Sequence, residues 1–130
     1  LAVCDVGTAS KVIFVDKEGE FAGIAIAPGL KMIGRALKEK TAALPELPLG
    51  TPERAIGRNT SEALLSGIAY GGACLLKGLA EQFEKEAGYP LRWVLTGGDA
   101  KYIKDLLPEF AYDESLTLDG LNLIYQRTHS

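Results

Sequence analysis

The chain has 130 residues, with 14 Lys or Arg, 17 Asp or Glu and a single histidine, and a net charge of −3. This length corresponds to one domain, and the interspersed charges leave no basic face for a nucleic acid. Two cysteines and one histidine exclude a disulfide framework, a His-rich metal site and a Ser-His-Asp triad. The uncharged apolar stretch at residues 21–30 is too short to span a bilayer. We therefore expect a cytoplasmic protein without nucleic-acid or membrane partners.

The N-terminal part of the chain has the pattern of three short strands. Residues 1–6 form an apolar run, residues 11–16 are rich in β-branched side chains, and residues 21–27 stop at a Pro-Gly pair. The segments 7–10 and 17–20 have turn composition, and the second contains a glycine suited to positive φ. The pattern predicts a three-stranded antiparallel meander.

Two helices follow the predicted strands. Residues 30–44 have apolar side chains at helical spacing, and the prolines within residues 45–52 predict a loop. A long helix is expected from Asn59 or Thr60 to Ala87, because Asn59 stands three residues before a glutamate, as in a capping box, and Gly88 closes the segment.

The C-terminal part alternates strands and helices. We expect a strand at 92–95, a sharp turn at 96–99, a helix from Ala100 to Leu107, a short strand at 110–112 and a final helix at 118–126. The order predicts an α/β fold in which a mixed sheet is packed against helices.

One candidate ligand-binding motif, Asp5-Val6-Gly7-Thr8-Ala9-Ser10, joins the first two predicted strands. The Asp5 carboxylate at the end of a buried strand could hold a cation, Gly7 lets the backbone approach a phosphate, and the Thr8 hydroxyl could donate to it. The alternative is an ordinary hairpin turn, since these residue types are all common in turns.

A second candidate motif, Thr96-Gly97-Gly98-Asp99, lies between a predicted strand and a predicted helix. Gly97 and Gly98 would let a flat ligand lie against the backbone, next to a helix N-terminus that attracts negative charge. The alternative is a strand-to-helix turn that uses glycine only for its conformation.

A third candidate, Ile56-Gly57-Arg58-Asn59-Thr60, ends the proline-rich loop. Arg58 could bind a carboxylate or a phosphate, and Thr60 could hydrogen-bond a ligand. The alternative is that Asn59 or Thr60 only caps the long helix.

The long helix has small residues along one face. Each interior glycine costs about 1 kcal/mol relative to alanine, so an unusually close helix must compensate. That helix could belong to this chain or to a partner subunit. We expect both Cys4 and Cys74 to be core residues. The face consists of Ala63, Gly67, Gly71, Cys74 and Gly78, and the opposite face of Leu64, Ile68, Leu75 and Leu79.

Six segments in this order resemble the type III pantothenate kinases. They are Asp5-Val6-Gly7-Thr8-Ala9, Ile26-Ala27-Pro28-Gly29-Leu30, Ile56-Gly57-Arg58-Asn59-Thr60, Ser66-Gly67-Ile68-Ala69-Tyr70-Gly71, Thr96-Gly97-Gly98-Asp99-Ala100 and Leu116-Thr117-Leu118-Asp119-Gly120-Leu121. The resemblance implies an actin-like, ribonuclease-H-like fold and transfer of the γ-phosphate of ATP to pantothenate, the first step of coenzyme A synthesis. It also implies a dimer, Mg²⁺ and a monovalent cation, K⁺ or NH₄⁺.

The resemblance is to the second domain of that family only. It implies that residues 1–130 form one domain, the C-terminal half of a two-domain kinase, and that the N-terminal domain with the first phosphate loop is absent. The catalytic base is expected upstream of Leu1, where the chain begins within a predicted strand, so we expect a piece of a longer chain that is inactive by itself.

The same resemblance implies roles for individual residues. Asp5 matches the aspartate that holds the monovalent cation, and Thr8, with Gly7, matches the part that binds the ATP phosphates. Thr60 matches a pantothenate-binding threonine. Gly97 and Gly98 match the turn near the adenosine of ATP. The long helix 60–87 is expected to contact the second subunit of a homodimer or heterodimer.

Three departures from the family pattern stand out. Ser10-Lys11 replaces a usual Thr-Thr, Ile24 replaces the second glycine of a pair, and Leu65 replaces a usual glutamine. We expect Ile24 to narrow the substrate pocket. The departures leave two interpretations open: an active enzyme that has drifted in sequence, or a diverged regulatory or scaffolding subunit that works with a more typical chain.

Overall fold

The computed structural model describes residues 1–41, 43–44, 47–114 and 116. Five strands form one mixed sheet: β1 (Ala2–Val6), β2 (Ala9–Val15), β3 (Phe21–Pro28), β4 (Trp93–Thr96) and β5 (Ala111–Tyr112), in the spatial order β3-β2-β1-β4-β5. The pairs β1–β2 and β2–β3 are antiparallel, whereas β1–β4 and β4–β5 are parallel. The predicted mixed α/β class is confirmed, and the helix predicted at 118–126 lies outside the described residues.

Two helices, α1 (Leu30–Lys40) and α2 (Thr60–Ala87), cover one face of the sheet. Side chains alternate between the faces of a strand, so Cys4, Val6 and Val12 point into this layer with the buried stripe of α2. The helices approach closely where Gly72 of α2 meets the side chain of Leu30, because a Cβ on Gly72 would overlap the Leu30 Cδ2 methyl. One of the glycines of α2 is thus explained by packing within the chain.

Both predicted ends of α2 are confirmed. The Asn59 side chain accepts a hydrogen bond from the Glu62 backbone N–H at 2.9 Å and donates one to the Glu62 carboxylate at 2.8 Å, which is a reciprocal cap. Gly88 has φ 83° and donates its N–H to the Glu84 carbonyl, so only a glycine fits without strain.

The prediction of a helix from Ala100 to Leu107 is wrong, because the segment forms two 3-10 turns, 100–102 and 104–106. Pro108 explains part of the difference. It has no N–H to donate to the Lys104 carbonyl, which accepts a hydrogen bond from the Leu107 N–H instead. A segment this short also gains little from α-helical cooperativity. The turn at 96–99 therefore does not open a helix with a macrodipole.

The first helix is shorter than predicted. It ends at Lys40 rather than Leu44, because Thr41 is extended and its hydroxyl donates to the Leu37 carbonyl at 2.9 Å. The Leu44 carbonyl instead accepts a hydrogen bond from the Lys38 ammonium at 2.8 Å. These contacts start the loop that leads to α2.

The small-residue face of α2 has no partner within the described part of the chain. A Cβ on Gly67, Gly71 or Gly78 would meet nothing within 4 Å. Cys74, predicted to be a core residue, is exposed, whereas Cys4 is buried as predicted. Packing within the described residues therefore does not account for this face.

By length and composition α2 could cross a membrane, and 33% of its most apolar window is buried inside the domain.

Candidate functional site

Two of the motifs meet at the carboxyl ends of the parallel strands β1 and β4. Asp5 pairs with Thr96 in the register of these strands, and the Asp99 N–H donates to the Val6 carbonyl at 3.0 Å. The backbone of Gly97 fills the space between the two turns. A Cβ there would lie 2.6 Å from an Asp5 carboxylate oxygen and 2.5 Å from the Val6 nitrogen.

Gly97 is a position that no other residue type fits. Its φ is 107°, in the left-handed region that favours glycine. It is also buried against Asp5 and Val6. The predicted ligand residue Gly97 therefore has a structural role, which is to let the two turns touch.

A third segment of the sequence pattern, Pro28-Gly29-Leu30, supports the turn at Gly7-Thr8 from below. A Cβ on Gly29 would lie 2.5 Å from the Gly7 carbonyl oxygen and closer still to that of Thr8. The backbone of this segment thus fixes the first turn while Leu30 anchors α1 in the core. Three motifs that are distant in sequence form one cluster.

The outer surface of this cluster is bare backbone. Gly98 is exposed, and a Cβ there would meet nothing within 4 Å. Gly7 has only an ordinary contact near its Cβ position, at 3.9 Å from the Ala9 carbonyl oxygen, and the Thr8 side chain is exposed. A planar or anionic ligand can therefore approach Gly7, Thr8 and Gly98 without moving another side chain. Gly7 and Thr8 belong to one turn and Gly98 to the other, and we call these residues of the two turns the open turn pair.

Asp5 is half-buried beneath the open turn pair. Burial raises the pKa of its carboxyl above the usual value of 3.8, and the nearby Lys11 ammonium acts in the opposite direction with a smaller effect. A carboxylate that has lost water without gaining full compensation attracts a positive charge. The environment therefore agrees with a role for Asp5 beside a cation.

Lys11 is the nearest cationic residue across the sheet from Asp5. The two are paired directly in the antiparallel register of β1 and β2, so their side chains leave the same face. Lys11 is exposed, and within the described residues the ion pair with atoms closer than 4 Å is Lys77–Glu109. Asp5 and Lys11 are thus neighbours whose charged atoms are not in direct contact.

Family and relatives provide an independent comparison. A family model described as type III pantothenate kinase matches residues 1–82, more than half of the chain. The chain belongs to the type III pantothenate kinase family. A member from Thermomicrobium roseum is 42% identical over 128 residues, and one from Thermus thermophilus is 42% identical over 124 residues. They cover 98% and 95% of this chain, which spans 49% of each relative, about half their length.

A solved structure from Campylobacter jejuni shows the same fold at low sequence identity. It is described as a conserved Baf family transcriptional activator, with a TM-score of 0.64 and 22% identity. The match covers 97% of this chain and 57% of that protein. This likeness supports the fold of the chain and nothing about its activity.

Thr60 lies at the N-terminal end of α2. Thr60 begins α2 twelve positions before Gly72, where the helix contacts Leu30. At 1.5 Å per residue this is about 18 Å along the helix. Thr60 therefore lies about three helical turns from the point where α2 contacts Leu30.

The segment before Thr60 is fastened to α2. The Ser66 hydroxyl donates to the Ala55 carbonyl, and a Cβ on Gly57 would lie 2.5 Å from the Ala63 nitrogen. The Thr51 hydroxyl donates to the Tyr102 carbonyl at 2.6 Å. Thr60 is therefore exposed at the end of an ordered loop, beside the first residues of the small-residue face.

The expectation that Ile24 narrows the substrate pocket stays a prediction. Ile24 lines a cavity of about 280 Å³ with Phe83 and Glu86, near the C-terminal end of α2. Phe83 is 23 positions beyond Thr60, about 35 Å along the helix. Of the other departures, Ser10 is buried, and Leu65 lies near Gly50 of the loop.

Sequence reasoning missed the pairing of Asp5 with Lys11. The predicted turn covered 7–10, so Lys11 was expected only as the start of a strand. The structure begins β2 at Ala9, which puts Val6 opposite Ser10 and Asp5 opposite Lys11. A three-residue turn centred on Thr8 would have revealed the pair.

Proposed function

We propose that this chain is the C-terminal, actin-like half of an ATP-dependent kinase that phosphorylates pantothenate in the first step of coenzyme A synthesis. The contact between the Asp5 and Gly97 turns supports the proposal most directly, because it exposes bare backbone where an ATP phosphate and adenosine could bind. The sheet order β3-β2-β1-β4-β5, with three antiparallel strands followed by two parallel ones, supports the actin-like assignment.

Each part of the open turn pair has a separate task in this proposal. The Thr8 hydroxyl and the backbone at Gly7 bind the ATP phosphates. Gly98 forms the surface on which the adenosine rests, and the buried Gly97 shapes the turn that exposes it. Thr60 binds pantothenate. Mg²⁺ accompanies ATP and neutralises its phosphates, and catalysis depends mainly on positioning and charge.

Asp5 is the carboxylate that balances a cation beside the phosphates. The family resemblance implies a monovalent ion there, K⁺ or NH₄⁺. Lys11 opposite Asp5 fits this ion poorly, because a positively charged side chain already lies across the strand pair from the carboxylate. The function of Asp5 as an anionic partner does not depend on which cation it holds.

The remaining groups belong to the half of the relatives that this chain does not span. We propose that the catalytic base and the first phosphate loop lie there, upstream of the residue that matches Leu1. No residue of this chain is assigned as catalytic. Residues 1–130 thus form one domain of a two-domain enzyme, and the enzyme is cytoplasmic, without nucleic-acid or membrane partners.

A second subunit completes the proposed enzyme through α2. The small-residue face is exposed, and Ile56, just before α2, is 80% exposed. Burying this apolar surface against a second chain would compensate for the low helix propensity of the glycines. A homodimer and a heterodimer with a more typical chain both fit this surface. In the heterodimer this chain would be the regulatory or scaffolding paralogue, with Lys11 beside Asp5 as the supporting departure.

The test of the proposal uses a complete protein, in which this chain follows the N-terminal half of the Thermomicrobium roseum relative. Gly98→Val places a side chain in open space, so the fold is preserved while the adenosine surface is blocked. We expect the KM for ATP to rise about tenfold or more, with the KM for pantothenate unchanged. Thr60→Ala should raise the KM for pantothenate instead.

Two results would contradict the assignments. An unchanged KM for ATP in Gly98→Val would remove the open turn pair from the nucleotide site. Loss of folding in Gly98→Val would show that the space is occupied in the complete protein, and Gly98→Ala then tests the same surface with a smaller side chain. Glu18→Val, at an exposed position in the hairpin between β2 and β3, is the control.

A further inference from the structure

The charge arrangement around Asp5 differs from that of a site built for a free monovalent ion. Asp5 is half-buried, and its carboxylate lies against Gly97 on one side. On the other side, Lys11 is its direct neighbour across β1 and β2. The pair is therefore neutral before any ion binds.

A lysine can reach the position at which an ion would balance Asp5. Directly opposed residues of an antiparallel pair have Cβ atoms about 5 Å apart, and the four-carbon chain of lysine spans that gap. Lys11 is exposed, so its ammonium can turn toward Asp5 or toward a phosphate above Thr8. Its neighbour on β3, Ile26, offers no competing charge.

A free cation at Asp5 would be repelled by this lysine. When the Lys11 ammonium turns toward Asp5 and comes within about 5 Å of the ion, the repulsion at an effective dielectric constant of about 20 weakens ion binding by a factor on the order of a hundred. With the lysine in this position, Asp5 binds K⁺ or NH₄⁺ much more weakly than an aspartate without a neighbouring lysine.

We propose that the Lys11 ammonium takes the place of the monovalent cation at Asp5, so that the kinase works without K⁺ or NH₄⁺. The inference rests on the proposed function, because the ion has a task only if phosphate binds at the open turn pair. Lys11 becomes a positioning residue that balances Asp5 and attracts the ATP phosphates.

The experiment uses the complete protein defined above and exchanges KCl for choline chloride at constant ionic strength. For the wild type, we expect the rate of pantothenate phosphorylation and the KM for ATP to change less than about twofold. Lys11→Thr removes the charge and should make both quantities depend on K⁺ by about tenfold or more. Lys11→Arg keeps the charge and should remain independent of K⁺. Lys85→Thr, at an exposed position on α2, is the control.

A second readout does not need turnover. Thallium(I) mimics K⁺, and its ²⁰⁵Tl resonance broadens when the ion is bound. We expect the Lys11→Thr protein to broaden this resonance and K⁺ to reverse the effect, whereas the wild type and Lys11→Arg leave it sharp.

The outcomes separate the two claims. A wild type that phosphorylates pantothenate only with K⁺, or that broadens the thallium resonance as strongly as Lys11→Thr, would overturn the inference while the proposed function stands. A complete protein without any phosphorylation would overturn the proposed function, and the thallium experiment would still decide whether Asp5 binds a free ion. If Lys11→Thr fails to fold, the wild type and Lys11→Arg decide the result.

Discussion

Asp5 is partly buried, and the nearby Lys11 ammonium offsets only part of the cost of burying its negative charge. Because burial raises the pKa of its carboxyl, the protonated form is favoured in the folded state. The stabilising effect of this raised pKa is present below the unfolded value of 3.8 and is lost as the pH rises through the folded pKa. At neutral pH the ionised Asp5 therefore lowers the stability of the chain.

The change Asp5→Asn tests this electrostatic account. The amide keeps the shape of the side chain and removes the charge, so we expect Asp5→Asn to unfold at a higher temperature than the wild type at neutral pH. The difference should shrink as the pH falls toward the unfolded pKa, because the wild-type carboxyl is then protonated as well. Thermal unfolding followed by circular dichroism over this pH range measures it. Asp105→Asn, at an exposed position, is the control; equal midpoints for Asp5→Asn and wild type at neutral pH would contradict the account.

We expect the two cysteines to differ in reactivity, because Cys4 is buried and Cys74 is exposed. Cys4 lies fully buried in β1, and burial raises its pKa to about 12, whereas Cys74 is exposed on α2. The thiolate is the nucleophile, so at concentrations below those at which α2 associates, iodoacetamide should label Cys74 and leave Cys4 unlabelled in the folded protein. Denaturant should make both cysteines react. Peptide mass spectrometry measures the labelling, and modification of native Cys4 at the rate of Cys74 would show that β1 opens readily.

At the scale of elements, the sequence predicted the structure best where a few neighbouring residues determine the backbone conformation. The ends of α2 follow from Asn59 and Gly88, whose side chain and φ angle determine where the helix can begin and end. The order of the strands on the chain followed from apolar runs and turns. The 100–107 segment was misassigned because apolar residues at Ala100, Ile103 and Leu107 suit both an α-helix and two 3-10 turns that end at a proline.

The candidate site was only partly predictable, because contact between distant segments depends on register. The sequence suggested Asp5, Thr8 and Gly98 separately, yet their meeting point depends on parallel pairing of β1 with β4. The position of Lys11 opposite Asp5 depends on a turn that a one-residue shift would undo. Composition and spacing do not specify such a register.

The glycines of α2 provide a test of the proposed contact face. Gly71→Leu adds a side chain where the isolated chain has open space, so the folded monomer should be at least as stable as the wild type. Overpacking against a second subunit should cost about 1–3 kcal/mol, which corresponds to a weakening of association by roughly 5- to 150-fold. Sedimentation across a concentration series measures the effect.

The neighbouring glycine is the control for this experiment. A Cβ on Gly72 would overlap Leu30 inside the chain, so Gly72→Ala should lower the unfolding temperature without acting on the α2 face directly. A wild type that is monomeric at every concentration, or a Gly71→Leu protein that associates equally well, would contradict the contact face. Association of the wild type only with lipid vesicles would instead point to a membrane surface.

At the scale of the whole molecule, the proposed site residues of the chain bind ligands and include no catalytic base. In the proposed function, the open turn pair, Asp5 and Thr60 position ligands and none of them acts as a base. The chain spans about half the length of its family relatives. The exposed isoleucines of β3, Ile24 and Ile26, leave further apolar surface uncovered by the described residues. A second half and a second subunit would both cover surface that this chain presents.

The measurement that tests the account most directly is phosphate transfer from γ-labelled ATP to pantothenate. We predict no transfer above the blank for the 130-residue chain with ATP, Mg²⁺ and K⁺, because the proposed catalytic base lies outside this chain. The complete protein, with the N-terminal half of the Thermomicrobium roseum relative fused before Leu1, should transfer phosphate to pantothenate. Clear turnover by the chain alone, or no turnover by a folded complete protein, would contradict the account.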